Sequence, residues 1–176
     1  LTYAAVGLLR GLFAGTMASL QIPASHLAER FGAPIILAGG TALAGAGYCL
    51  AGLSGSFAVL LFALFVGGLG ASTQHPVASS LVARAFSGPR SMKALGGYNF
   101  AGDIGKMTVP ALAALMIAVM PWRPTLILLG MAGFAAAFLI VLLMPRFGAE
   151  PGVATKDTSA VPKAPRGGRY AFPTLL

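Results

Sequence analysis

Charge is scarce in this sequence: only 9% of its 176 residues are charged and only four are acidic, where an ordinary soluble domain carries roughly 25% charged residues. Histidine occurs twice, and tryptophan and cysteine once each. Each shortage excludes something. The single cysteine, Cys49, forms no disulfide within the chain and, lying in an apolar run, reads as a small packing residue. His26 and His75 fall in different segments, and with so few acids they make no metal-ligand cluster. No phosphate loop or Ser/His/Asp arrangement occurs either, so neither a metal, a cofactor nor enzymatic catalysis is expected. The formal charge of +8 comes from dispersed Lys and Arg, not from a basic patch beside stacking aromatics, so nucleic acid is not an expected partner.

What is present is oil. Hydrophobic residues make up 57% of the chain and the mean hydropathy is +0.83, more than a soluble core of this size can hide. A signal peptide has a single apolar stretch of roughly 7 to 15 residues, whereas several longer ones recur here. The solvent implied is a lipid bilayer.

A spanning helix needs about 20 apolar residues at ~1.5 Å each. Five stretches qualify: Ala4 to Pro23, Pro34 to Leu53, Phe57 to Leu81, Leu95 to Met120, and Pro124 to Met144. The breaks between them, Ser25 to Ala33, Ser54 to Ser56, Val82 to Ala94 and Pro121 to Arg123, hold turn formers or charges. Alternate breaks lie on alternate sides. One side collects Arg30, Arg84, Arg90, Lys93, Arg146, Lys156, Lys163, Arg166 and Arg169, and the other only Arg123, beside Trp122. The first side is therefore expected to be cytoplasmic. Leu1 then falls outside, and with no initiator methionine the chain is expected to begin mid-protein, after a helix that is absent. Residues 145–169, rich in Pro, Gly, Ala and charge, read as a disordered cytoplasmic linker, and 170–176 as the start of a further span.

Small residues at spacings of four let helices approach closely in lipid. Gly7, Gly11, Gly15 and Ser19 form such a stripe on the first span, and Gly40, Ala44, Gly45 and Gly47, then Gly67, Gly70 and Ala71, extend the theme. Compact packing is the expectation for all of them.

Ionisable groups at membrane depth cost about 2.5 to 3.5 kcal/mol each on insertion scales and mark candidate sites. Asp103 and Lys106 sit deep in the fourth span, on one helical face with Asn99 and Pro110. They can neutralise one another as a structural pair, or bind substrate or a proton. Arg10, in the first span, can snorkel outward or face a site. On the third span Gln74 and His75 precede Pro76, which frees a backbone carbonyl that either could satisfy; alternatively His75 carries a proton.

The first long break reads Ser25-His26-Leu27-Ala28-Glu29-Arg30-Phe31-Gly32-Ala33-Pro34. It resembles the Gly-x-Leu-Ala-Asp-Arg-x-Gly-Arg-Lys loop of the major facilitator superfamily between its second and third helices. Leu27, Ala28, Arg30 and Gly32 match and Glu29 replaces Asp, while Ser25 replaces the first Gly and Ala33-Pro34 the final basic pair. The stretch Gly67 to Pro76, with the Gly-rich Gly96 to Gly105, resembles the fosmidomycin-resistance type of exporter in that superfamily. The antiporter Gly-Pro motif is not intact, since Lys106 follows Gly105 and the proline comes at Pro110.

The resemblance implies an all-α, polytopic membrane helix bundle, a major-facilitator-type N-terminal bundle lacking its first helix. Residues 1–144 would be family helices two to six, with a C-terminal helix bundle as the missing partner. It implies secondary transport of a small solute by alternating access, coupled to a proton or other ion, in the bacterial inner membrane. The cavity would be offered Arg10, Gln74, Asn99, Asp103 and Lys106, and Glu29 and Arg30 would hold a cytoplasmic gate. Two cations against one acid within the spans favour an anionic solute. The rival from another class is a non-transporting membrane scaffold or partner subunit, which has no use for a charge pair at depth.

Overall fold

The computed structural model describes residues 2–86 and 89–144; the expected linker and the start of a further span, at 145–176, lie outside the described residues. The described chain is entirely helical: α1 (Tyr3–Ser19), α2 (Gln21–Phe31), α3 (Ala33–Leu53), α4 (Phe57–Ala71), α5 (Gln74–Ala85), α6 (Pro89–Val119) and α7 (Trp122–Leu143). Four stretches are long and apolar enough to cross a membrane, Ala33–Leu53, Phe57–Ala85, Arg90–Val119 and Trp122–Leu143; a fifth results if α1 and α2 form one bent span. The all-α membrane bundle expected from the hydropathy is the fold observed.

Prolines explain where the spans bend. Pro23 has no N–H to offer the Ser19 carbonyl, and the chain breaks at Leu20 and turns by 43° into α2. Pro76 likewise leaves Ser72 unserved, and α4 gives way to α5 across Ser72 and Thr73. The break placed at Ser25 to Ala33 is corrected here. Residues up to Phe31 stay helical, and only Gly32, at φ 95°, leaves the helix, a conformation that a residue without Cβ adopts freely. Pro34 in the first turn of α3 then needs no partner for its missing N–H. The break at Val82 to Ala94 shrinks as well, because α5 runs to Ala85 and α6 begins at Pro89.

The centre of the bundle is α3, against which α7, α4, α2 and α5 all pack. Glycine makes the close crossings. A Cβ added at Gly47 would lie 2.6 Å from the backbone of Gly67, one at Gly45 would lie 2.7 Å from the Gly130 carbonyl, and one at Gly52 would lie 2.7 Å from the Arg123 carbonyl. Cys49 packs there too, its Sγ 3.7 Å from the Ile127 carbonyl. At one end of the bundle Ala28, Ala33, Leu37 and Val77 form a buried cluster, backed by Ile36, Ala78, Leu81, Ile140 and Met144. At the other, Arg123 donates to the Ser54 carbonyl at 3.0 Å and lies over the Trp122 ring, pinning the start of α7 to the end of α3.

The stripe on α1 is a correction. A Cβ at Gly7, Gly11 or Gly15 would meet nothing within 4 Å, so these glycines pack against none of the described residues. Instead α1 meets α4 through Phe13 and Thr16, on the opposite side of the helix, where a Cβ at Gly68 would lie 2.8 Å from the Phe13 carbonyl. Spacing correctly put the glycines on one face, but that face is not the one α1 packs with.

Candidate functional site

The polar groups at membrane depth gather on α6 and on the α3–α5 contact. Asp103 and Lys106 flank the middle of the Arg90–Val119 span. Three residues of helix bring their side chains together, and the Lys106 ammonium donates to Asp103 Oδ1 at 2.9 Å. The pair is 68% and 64% exposed respectively. Asn99 is exposed on the same face, and within Arg90–Val119 no residue is buried. Pro110, one turn further on, removes the donor that the Lys106 carbonyl would have received, which adds an acceptor to this face. Gly102 and Gly105 leave open space beside the pair, since a Cβ at either would meet nothing within 4 Å.

Two unit charges at this depth are stable facing water or other protein, and not facing hydrocarbon. Their attraction alone does not offset the loss of hydration. Facing a water-filled cavity or another protein surface would spare the pair that cost.

Gln74 has a different role from the one its neighbour Pro76 suggested. Its side chain does not serve the freed carbonyl. It crosses to α3, where Nε2 donates to Thr41 Oγ1 at 2.8 Å, while the Thr41 hydroxyl donates to the Leu37 carbonyl at 2.7 Å. The Tyr98 hydroxyl, on α6, comes within 3.5 Å of the Gln74 carbonyl, so α3, α5 and α6 meet through polar contacts at one point. His75 is exposed beside it, and its ring makes no hydrogen bond among the described residues. Arg10 is exposed on α1 and has no ion-pair partner among the described residues. The structure thus brings Asn99, Asp103 and Lys106 together on one helix and ties Gln74 to that helix through Tyr98. It does not bring Arg10 or His75 into contact with them.

Thr41 and Tyr98 were missed from the sequence. A hydroxyl within an otherwise apolar, Gly-rich α3 was the available signal for Thr41; spacing alone gave none for Tyr98, whose partner lies on another helix.

The residues expected at a gate sit at the end of α2 and at Gly32, which follows it. Ala28 is buried against α3 and α5 and Gly32 is buried as well, while Leu27, Glu29 and Arg30 are exposed. Glu29 pairs with His26 at 3.8 Å, and the Arg30 guanidinium lies 5.3 Å from the Phe31 ring centre. A cavity of about 50 Å³ opens between α2, α3 and α5, with Glu29 and Arg84 both on its wall. Among the described residues no cluster of His, Cys, Asp and Glu could hold a metal ion.

Comparison with known proteins completes the picture. A profile of the Major Facilitator Superfamily matches residues 1–172. The fosmidomycin resistance protein of Escherichia coli (strain K12) is 33% identical over 118 residues, which cover 67% of this chain and 29% of that protein. No solved structure matches the chain. The Leu27 to Gly32 motif, the apolar spans and a profile match along nearly the whole sequence agree: this integral membrane chain belongs to the major facilitator superfamily.

Proposed function

We propose that the chain is part of the N-terminal half of a secondary transporter that carries a small solute by alternating access, coupled to a proton or another ion. The observation that carries the reading is the Asp103–Lys106 pair, held at 2.9 Å in mid-span on a face where nothing is buried. A charge pair is costly there unless it faces water or other protein, and an aqueous solute path supplies such a setting. A non-transporting scaffold has no such need.

In this reading α6 lines one wall of the cavity with Asn99, Asp103 and Lys106, while Gln74 and Arg10 face the same space from α5 and α1. His75 is a candidate for the coupled proton. With Arg10 and Lys106 set against Asp103, an anionic solute is the favoured class. The resistance named for the E. coli relative favours export and makes fosmidomycin the first solute to try. Leu27, Glu29, Arg30 and Gly32 form the cytoplasmic gate loop. The membrane is the bacterial inner membrane.

The test uses the full-length protein in cells and inverted vesicles. Asp103→Asn and Lys106→Gln each abolish fosmidomycin export without lowering the amount of protein in the membrane. Export at the wild-type rate by both variants removes the pair from the mechanism and the reading with it.

A further inference from the structure

We propose that Thr41 is a positioning residue that fixes which way the Gln74 amide points, so that Gln74 Oε1 is presented as a hydrogen-bond acceptor to a solute bearing an N–H or O–H group. The inference rests on the transport reading above and specifies one contact within it.

A single proton decides how the amide is turned. Thr41 Oγ1 lies 2.7 Å from the Leu37 carbonyl, and a carbonyl only accepts, so the hydroxyl proton of Thr41 is committed there. Oγ1 has lone pairs left and no proton to give. The Gln74 atom 2.8 Å away must therefore be the amide nitrogen, not the oxygen. The amide is turned by this contact, and Oε1 faces away from α3. Among the described residues no buried side-chain nitrogen or oxygen lacks a partner. Gln74 Oε1 makes no hydrogen bond with them, so it is not fully buried, and the second amide N–H has no partner among them either.

The backbone of Gln74 is held as well. The neighbouring Thr73 is buried and donates to the Gly70 carbonyl at 3.0 Å, and Tyr98 approaches the Gln74 carbonyl from α6. Thr41 lies eight positions into α3, about 12 Å along its axis, so this amide stands well inside the span, and in the aqueous cavity of the transport reading its oxygen can exchange water for a solute donor. A solute donor is the partner that would answer it. Gln74 is then a direct contact, and Thr41 acts through it.

Two measurements on the full-length protein decide the matter. In ¹⁵N-glutamine-labelled protein in nanodiscs, the side-chain NH₂ signal of Gln74 is identified by its absence in Gln74→Leu. It shifts in Thr41→Val, which removes the hydroxyl but keeps the shape, and stays in place in Thr41→Ser. In inverted vesicles with fosmidomycin as the probe, Thr41→Val raises KM by about threefold to tenfold, the range for one mis-set hydrogen bond. Maximal rate and protein amount hold, and Thr41→Ser restores KM. An unmoved Gln74 signal in Thr41→Val overturns the inference. So does a signal that moves while KM does not, for Thr41 would then only brace the fold. A wild type that exports no probe removes the transport reading and the positioning role together, whereas a working wild type with an unchanged Thr41→Val KM removes the positioning role alone.

Discussion

Gly47→Ala is the sharpest probe of the packing. The added methyl would stand 2.6 Å from both Cα and N of Gly67 and 2.9 Å from the Ala63 carbonyl. These are backbone atoms of α4, so no side chain can rotate out of the way. Ordinary contact begins near 3.4 Å, so α3 and α4 must separate by roughly 0.8 Å along their crossing. Overpacking of this kind costs about 1 to 3 kcal/mol, and the better helix propensity of alanine returns at most about 1 kcal/mol. A net loss of about 1 to 2 kcal/mol is expected. Gly39→Ala is the control on the same helix: its methyl meets nothing within 4 Å, and it leaves stability unchanged or raises it by up to about 1 kcal/mol. Reversible unfolding of the full-length protein in mixed micelles, titrated with a denaturing detergent, measures both. If Gly47→Ala unfolds no earlier than the wild type, the close crossing of α3 and α4 is wrong.

Two other outcomes follow from the same geometry. Gly32→Ala forces a Cβ into φ 95°, ψ 129° between α2 and α3, costs about 1 to 3 kcal/mol in the same unfolding assay, and loosens the α2–α3 junction; equal stability would show that the chain reverses there differently. Cysteines placed near Arg90 react with an impermeant thiol reagent only from the cytoplasmic side and those near Trp122 only from outside, and the reverse pattern would invert the topology.

Much of this architecture was legible before any coordinates. Apolar length marked the four stretches long enough to cross, with α1 and α2 making a fifth only as one bent span, and i, i+3 spacing brought Asp103 and Lys106 together, because both depend on properties local to one helix. The bend at Leu20 and the helix break at Ser72–Thr73 were legible in principle, since Pro23 and Pro76 each deprive the carbonyl four residues back. Reading His26, Glu29 and Arg30 as a break failed for a physical reason: polar side chains do not end a helix, and only Gly32 supplies the backbone that does. Packing partners were the least legible part. Gly11 and Gly47 look alike in sequence, yet one faces open space and the other a neighbouring backbone. Periodicity assigns a residue to a face and says nothing of what lies opposite. The bridge from Gln74 to Thr41 spans 33 positions, and no local rule reaches that far.

The central claim is that the Asn99–Asp103–Lys106 face of α6 opens to water and not to lipid. In a cysteine-free full-length protein, Asn99→Cys on that face and Ala101→Cys on the opposite face are exposed to a small, charged, membrane-impermeant thiol reagent in vesicles. The account predicts rapid labelling at position 99, slowed by a bulky blocker of the cavity, and slow labelling at position 101. Labelling at 101 with protection at 99 would contradict it.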